Sequence, residues 1–295
     1  AVLMPLAVGY HFGGKFRPTL NEDGKMTTRR SRLILNLTLA CLFLAPSLSW
    51  ISVKQFYDTT VYMTKFDNRL ILTALYCAIF IAPPVFLLGQ TVPLISNFFP
   101  RQRHGKLAGT ILFFSTLGSF VGATGSTLLL MATVGVHNAT IVTIASIALL
   151  TALLCRKKFS PQVGIVTACL AVSVFLNSPM ILRDNNIVTN NQYHTIQVAN
   201  TSPTEKSMIS DGNTSSSYDT QLGVATIPYI AIVDESFIDN MILDGGSKDI
   251  LVIGAGGFTI GLKDTSNNYT FLDIDSSLQK TAEENFLGQK LSDNK

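Results

Sequence analysis

The chain has 295 residues, of which 22 are Lys or Arg and 19 are Asp or Glu, so its formal net charge is +3. Charged residues make up 14% of the chain and apolar residues 47%, whereas soluble domains carry about 25% charged residues, which argues against a wholly soluble protein. Residues 1–178 contain 15 basic and 4 acidic residues, and residues 179–295 contain 7 and 15. The composition therefore predicts a basic, apolar domain followed by an acidic, polar one.

The first domain contains long stretches without any Asp, Glu, Lys or Arg. They are residues 33–53, 70–100, 107–155 and 159–182. Because about 20 apolar residues cross a bilayer, these stretches predict about five transmembrane helices, two of them within the third stretch and separated near residues 133–137. The apolar residues 1–7 predict a further, partial helix and indicate that the chain is a fragment. A signal peptide would account for one stretch only, so we expect an integral membrane domain.

Polar and small residues inside these stretches give weaker signals. Gly118, Gly122 and Ser126 recur every four positions, a spacing typical of close helix packing more than of a substrate path. No Asp, Glu, Lys or Arg lies inside a predicted crossing, which weighs against an ion-coupled transporter. His137 lies at a loop edge and is expected to be solvated. The four cysteines lack the spacing of a metal site, so no metal is expected.

In the second domain, residues 187–198 and 206–210 predict two strands, and Asp211-Gly212-Asn213 after them is a turn signal. These elements suggest a small β-hairpin layer. Residues 214–217 are polar and predict a loop, whereas residues 226–242 have the apolar spacing of an amphipathic helix.

A glycine turn follows the most apolar part of this domain. Residues 249–253 form a short run typical of a strand buried in a parallel sheet, and they lead into Gly254-Ala255-Gly256-Gly257. A second strand, at residues 269–272, ends in Asp273-Ile274-Asp275, before a predicted helix at residues 276–287. Glycines let the main chain approach a ligand, and an acid at the tip of the next strand can accept hydrogen bonds from ribose hydroxyls. The pattern predicts the nucleoside-binding half of a truncated, Rossmann-like α/β domain.

The ligand of this predicted site lacks a pyrophosphate. Phe258 and Thr259 follow the turn and Gly261 is out of step, so the dinucleotide pattern is incomplete. S-adenosylmethionine or its decarboxylated form is favoured as co-substrate over NAD. The residues expected to bind it are Gly254, Gly256, Gly257, Asp273 and Asp275. The alternative is that the turn only connects two elements and that Asp273 is a helix cap.

With these motifs in this order, the chain resembles the membrane-fused spermidine synthase-like proteins, in which transmembrane helices precede a polyamine aminopropyltransferase domain. The resemblance spans roughly residues 70–290. In the first domain it rests on Gly89-Gln90-Thr91-Val92-Pro93-Leu94, on residues 105–109 and on residues 115–119 with Gly122. In the second domain it rests on Tyr193 before Ile196 and Val198, on Asp211-Gly212, on the glycine turn and on residues 272–275.

The resemblance implies polyamine biosynthesis: transfer of an aminopropyl group from decarboxylated S-adenosylmethionine to a diamine such as putrescine. It implies that the glycines line the nucleoside pocket, that Asp273 holds the ribose, and that Tyr193, Asp211 and Asp219 lie on the substrate side. The implied partners are a small-molecule amine and the lipid bilayer, without nucleic acid, in a protein that could form homo-oligomers.

The chain departs from the family pattern at four places. Gly257 stands where the family usually has an Asp for the amine end of the donor, and His194 and Ser215 stand where it usually has Gln. The catalytic Asp of the family follows a later strand, so the catalytic residue is expected beyond Lys295 and the fragment alone is expected to be inactive.

Two other functions stay open: an S-adenosylmethionine-dependent methyltransferase, and a non-catalytic membrane transporter or sensor with a nucleoside-binding domain. The basic residues of the first domain cluster near positions 15–32, 101–106 and 156–158, and the positive-inside rule places these loops in the cytoplasm. A full crossing at residues 162–177 would put the acidic domain outside, whereas a re-entrant segment would keep it inside. Because metabolic nucleosides are cytoplasmic, we expect the plasma (inner) membrane with the acidic domain in the cytoplasm.

Overall fold

A computed structural model describes residues 2–17, 28–96, 104–155, 160–243 and 245–295. The chain divides into two compact units, Ala1–Ser178 and Pro179–Lys295. In the described residues the first unit is helical, and the strands belong to the second unit.

The described part of the first unit contains helices along its whole length. In chain order they are α1 (Leu3–Lys15), α2 (Arg29–Ser47), α3 (Trp50–Thr64), α4 (Arg69–Tyr76), α5 (Ala82–Gly89), α6 (Thr91–Ser96), α7 (His104–Thr124), α8 (Met131–Leu154) and α9 (Pro161–Leu176). Two π-helical segments, Cys77–Ile81 and Gly125–Leu130, continue the helix between α4 and α5 and between α7 and α8.

Two helical stretches of the described chain, Arg69–Ser96 and Ala108–Leu154, are long and apolar enough to cross a membrane. The pair of α2 and α3 is bent by 73° and adds a third span if the pair is counted as one. Helix α9 has 16 residues, fewer than the roughly 20 that a crossing requires. Length and composition therefore give two or three spans among the described residues, fewer than the five predicted.

The difference arises where the helices break. The charge-free residues 33–53 do not form one helix, because α2 ends at Ser47 and the Ser49 hydroxyl accepts a hydrogen bond from the Ser52 amide (3.2 Å) to begin α3. Residues 108–154 are continuous in sequence but contain two helical segments that meet at a kink. The kink lies at Gly135 (φ 79°, ψ 170°), inside the interval where two crossings are predicted to separate.

Several basic residues that define the predicted orientation lie outside the described residues. They are Lys25, Arg101, Arg103, Arg156, Lys157 and Lys158. The side of the membrane on which the second unit lies therefore stays a prediction.

Helices α2, α8 and α9 share the apolar core of the first unit. Leu37 and Cys41 of α2 pack with Ile144 of α8 and with Val166 and Cys169 of α9. These residues come from the charge-free stretches, so the same apolar composition that predicts membrane insertion also supplies the contacts between the helices.

Small residues bring two other helices together. A Cβ atom built on Gly13 of α1 would lie 2.9 Å from Gln90 Cα, so the close approach of α1 to the end of α5 requires glycine. The predicted packing stripe on α7 behaves differently. A Cβ atom on Gly118 or Gly122 would meet no atom of the described neighbours within 4 Å, and Phe120 beside them is 65% exposed.

Buried polar side chains join helices in this unit. Asn36 Nδ2 donates a hydrogen bond to Gln90 Oε1 (3.0 Å), and both side chains are buried. His137 Nδ1 lies 3.0 Å from Asn177 Oδ1. The expectation that His137 is solvated is therefore wrong: its side chain is only 7% exposed, because it faces α9 rather than a loop.

The second unit contains two sheets. Its elements are α10 (Pro179–Asp184), β1 (Ile187–Asn190), β2 (Thr195–Asn200), β3 (Glu205–Ser210), β4 (Asn213–Asp219), β5 (Val224–Ala225), α11 (Pro228–Val233), α12 (Asp239–Leu243), β6 (Asp249–Ile253), β7 (Asn268–Leu272) and α13 (Leu278–Thr281). Strands β1 to β5 form an antiparallel sheet in sequence order, and β6 pairs with β7 in parallel. π-Helical segments connect α11 to α12 and follow α13.

The antiparallel sheet is larger than the predicted hairpin layer. The single strand predicted at residues 187–198 is two strands, because Asn191 Oδ1 accepts hydrogen bonds from the amides of Tyr193 (2.9 Å) and His194 (3.1 Å) and closes a turn. The loop predicted at residues 214–217 lies inside β4. There the buried hydroxyl of Ser217 is 2.7 Å from Thr226 Oγ1, so a polar residue is satisfied within the sheet.

One face of the parallel pair is covered. Val252 and Tyr269 pack against Ile238 of the segment between α11 and α12, and Phe271 contacts the larger core that lies under the antiparallel sheet. That core contains Phe286, which is fully buried and lies edge-to-face on Tyr218 with ring centroids 5.0 Å apart.

Truncating Phe286 should destabilise the second unit strongly. We expect Phe286→Ala to lower its free energy of unfolding by about 3–5 kcal/mol, because the change leaves a cavity under the sheet. Denaturant unfolding followed by circular dichroism measures the loss, with Phe237→Ala as the matched control because Phe237 is 58% exposed. Equal effects of the two substitutions would contradict this assignment of the core.

Candidate functional site

The tips of β6 and β7 lie side by side. The register pairs Ile253 with Leu272, and the Gly254 amide then donates a hydrogen bond to the Leu272 carbonyl (2.9 Å). Because the strands run parallel, the glycine turn after β6 and the acidic residues after β7 come to the same end of the pair. Two segments that are about 20 residues apart in the sequence thus meet at one edge.

The carboxylate of Asp273 is directed onto the glycine turn. Its Oδ2 accepts a hydrogen bond from the Ala255 amide (2.9 Å), and its Oδ1 accepts one from the Asp275 amide (3.0 Å). The side chain is half-buried. Each carboxylate oxygen has a second lone pair, so the group can still accept further hydrogen bonds from a ligand at this edge.

The turn itself packs against β4 of the antiparallel sheet. Gly254 (φ 86°) and Gly256 (φ 53°) adopt backbone conformations that favour glycine. The Gly257 amide donates a hydrogen bond to Ser216 Oγ (2.7 Å). A Cβ atom at Gly257 would lie 2.5 Å from Phe286 Cε1 and 2.7 Å from Ser216 Cβ, so this position has no room for a side chain.

Asp275 links the same edge to the turn between β1 and β2. Its Oδ2 accepts a hydrogen bond from Asn191 Nδ2 (2.7 Å) and lies 2.7 Å from His194 Nε2. Its Oδ1 accepts from the amide (2.9 Å) and the hydroxyl (2.7 Å) of Ser277. Only 4% of the surface of Asp275 is exposed. Its side chain therefore connects the segment after β7 to the β1–β2 turn and does not face a ligand.

The surroundings of Asp275 favour its ionised form. Burial raises its pKa, but the hydrogen bonds from Ser277 and Asn191 and the proximity of His194 lower it, and the net pKa lies below the ordinary value of an aspartate. A buried carboxylate with several donors is stabilised as the anion.

The predicted substrate-side residues do not all reach this edge. Tyr193 lies in the turn between β1 and β2, next to His194, with 43% of its surface exposed.

Asp211 lies in the turn between β3 and β4, where its Oδ1 accepts a hydrogen bond from the Thr195 amide (2.9 Å). Asp219 ends β4, and its Oδ1 accepts from the amides of Gln221 and Leu222 (both 2.8 Å). The hydrogen bond from the Leu222 amide lowers the pKa of Asp219. Asp219 thus closes the turn after β4, whereas Asp211 attaches the β3–β4 turn to the start of β2.

The site also uses residues that the sequence did not single out. Asn191, Ser216 and Ser277 donate to or accept from the residues of the glycine turn and the acidic segment. Asp275 followed two residues later by Ser277 is a local capping signal, but the partners Asn191 and His194 come from more than 80 residues away. Of the described residues, no group of three His, Cys, Asp or Glu side chains could hold a metal ion.

No protein-family model, no curated protein and no solved structure matches the chain.

Ionised Asp275 should make stability depend on pH. Because its pKa is lower in the folded chain, its contribution is fully present above the ordinary aspartate pKa and is lost as the pH falls through the folded value. We expect the melting temperature of the wild type to fall more steeply between neutral and acidic pH than that of Asp275→Asn. The exposed Asp249→Asn is the control, and parallel curves for wild type and Asp275→Asn would contradict the role of the carboxylate.

Proposed function

We propose that this chain is a membrane-anchored protein of the spermidine synthase-like class, which transfers an aminopropyl group from decarboxylated S-adenosylmethionine to a diamine such as putrescine. In this reaction the amine nitrogen attacks the carbon next to the sulfonium, the carbon–sulfur bond breaks, and methylthioadenosine leaves while the amine loses a proton. The observation that carries the proposal is the Asp273 carboxylate lying on the main chain of the glycine turn, 2.9 Å from the Ala255 amide.

This juxtaposition supports an adenosine site. The nucleoside would lie over the turn, where Gly254 and Gly256 have no side chains to obstruct it, and its ribose hydroxyls would donate to Asp273. Asp275 would act indirectly, because its oxygens already serve Asn191, His194 and Ser277. Tyr193, which is exposed beside His194, would contact the substrate from the β1–β2 turn.

We further propose that β6 and β7 belong to a Rossmann-like sheet. Their parallel pairing supports this. So does the face opposite the core, where Leu251 (61%), Ile253 (78%) and Leu272 (57%) are exposed. Parallel strands are normally covered on both faces. Three exposed apolar side chains on one face of the pair are therefore typical of a sheet that packs against a further layer.

The apolar helical stretches Arg69–Ser96 and Ala108–Leu154 support a membrane anchor. We propose the plasma (inner) membrane as the location and the cytoplasm as the side of the second unit. The reason is chemical: S-adenosylmethionine-type donors are metabolites of the cytoplasm. Protease protection in sealed vesicles tests the sidedness.

One observation favours a second candidate, a methyltransferase or a nucleoside sensor. The family resemblance requires an acid in the glycine turn for the amine end of the donor, but Gly257 is packed against Ser216 and Phe286. A ligand held mainly through its nucleoside would need no acid at that position. An intact S-adenosylmethionine, or an adenosine nucleoside without a transferable group, meets this condition.

Product analysis separates these candidates. The full-length protein in membranes is incubated with putrescine and decarboxylated S-adenosylmethionine, and separately with S-adenosylmethionine and candidate acceptors. We expect spermidine and methylthioadenosine in the first reaction. A methylated product in the second reaction with no spermidine in the first would remove the aminopropyl assignment, and binding without any turnover would favour the sensor.

Asp273 gives a test that does not depend on turnover. We expect Asp273→Ala to weaken the binding of methylthioadenosine by about 1.5–3 kcal/mol, since hydrogen bonds to a charged group are lost. Isothermal titration calorimetry measures the dissociation constant, with Asp249→Ala at the other end of β6 as the control. The melting temperature of each variant shows whether the turn still folds. A folded variant with an unchanged dissociation constant would refute the ribose assignment.

A further inference from the structure

A cavity of about 530 Å³ opens in the second unit, and none of the residues that line it belongs to the nucleoside site. Its lining combines basic and amide side chains: Arg183, Asn186, Asn200, Lys206 and Asn285. Ile187, Val188 and Val198 form its apolar wall, and Glu284 is its acidic member. The volume is in the range of small-ligand sites.

Backbone contacts place the two segments that carry the cations at this cavity, with Arg183 exposed and Lys206 half-buried. Lys206 of β3 pairs in register with Asn200 of β2. Arg183 lies in the last turn of α10, and its carbonyl accepts a hydrogen bond from the Asn186 amide (2.8 Å). The Asn186 carbonyl in turn accepts from the Val198 amide (3.0 Å), so the end of α10 is attached to β2.

These cations have no acidic partner in the described part of the chain. Neither Arg183 nor Lys206 lies within 4.0 Å of a carboxylate oxygen there. Glu284 is turned to solvent: its side chain is 61% exposed, and its nearest cation is Lys280, at 3.9 Å. Burial without a compensating acid lowers the pKa of Lys206. An anion in the cavity would offset the cost of burying this charge.

We propose that this cavity binds a phosphate group, supplied either by the headgroup of an anionic phospholipid or by a soluble phosphate monoester. A guanidinium donates two parallel hydrogen bonds to phosphate oxygens, and an ammonium adds a point charge. The amide groups of Asn186 and Asn200 supply neutral donors around them. The proposal does not rest on the nucleoside site, with which the cavity shares no residue.

The position of Arg183 in the chain is compatible with a lipid source. It follows Leu176, the last residue of the apolar helix α9, by seven residues (183 − 176), and seven residues span at most about 25 Å. Basic residues next to apolar helices are also the usual means of binding anionic headgroups.

The test uses the full chain purified in detergent. Inorganic phosphate and glycerol 3-phosphate are titrated by calorimetry into the wild type, Arg183→Gln, Lys206→Met and the control Lys290→Gln, whose side chain is exposed elsewhere in the unit. In a second arm, the same proteins are reconstituted into phosphatidylcholine vesicles with or without phosphatidylglycerol, and lipid retained after extraction is measured by native mass spectrometry.

We expect saturable binding in at least one arm, weakened about tenfold or more by either cavity substitution and unchanged by Lys290→Gln. Binding of glycerol 3-phosphate identifies a soluble monoester as the source, and selective retention of phosphatidylglycerol identifies the lipid. Lys206→Arg, which keeps the positive charge, should bind like the wild type. If Lys206→Met loses binding while Lys206→Arg keeps it, the loss is due to the charge and not to misfolding. Wild-type protein that binds in neither arm, or cavity variants that bind as tightly as the wild type, would overturn the proposal.

Discussion

The hydrogen bond from the Ala255 amide to Asp273 Oδ2 joins the ends of two neighbouring strands, and the rest of the candidate site depends on it. It requires the parallel pairing that ends with Ile253 opposite Leu272, because an antiparallel pair would carry the turn and the acid to opposite ends. It also requires an unobstructed turn, which Gly254 supplies with a φ of 86°. The parallel direction of the strands, the glycine and the carboxylate must therefore all be present for this hydrogen bond to form.

Polar contacts connect this parallel pair to the antiparallel sheet. Ser216 Oγ of β4 accepts from the Gly257 amide, and Asp275 accepts from Asn191 beside β1. Burying a carboxylate is costly unless donors surround it, and Asp275 has the side chains of Asn191 and Ser277, an amide and the nearby His194. These contacts fix where the glycine turn lies on the sheet, since an apolar interface alone would allow it to slide.

Local patterns account for the parallel pair but for only part of the antiparallel sheet. The apolar run of β6, the glycines after it and the acid after β7 are each recognisable from a few neighbouring residues. The sequence therefore predicts the strand, the turn and the position of the acid. Residues 214–217 are polar and were predicted to be a loop, yet they lie in β4, because Ser216 finds its partner at Gly257, 41 residues away. The pairing of His194 with Asp275 is equally non-local. A polar residue whose hydrogen-bond partner is distant in the sequence cannot be distinguished, from the sequence alone, from one that is hydrogen-bonded to water.

The same distinction applies to the helices of the first unit. Absence of charge predicts where a chain can enter lipid, but it does not predict where a helix breaks. Between Ser47 and Trp50 a serine cap begins a new helix at 73° to the one before it, and at Gly135 a kink separates two helical segments within residues 108–154. Both stretches are free of charge, and their lengths alone predict one crossing in residues 33–53 and two in residues 107–155. The backbone hydrogen bonds of the helix ends, which a cap or a glycine redirects, decide how many spans a charge-free stretch can form.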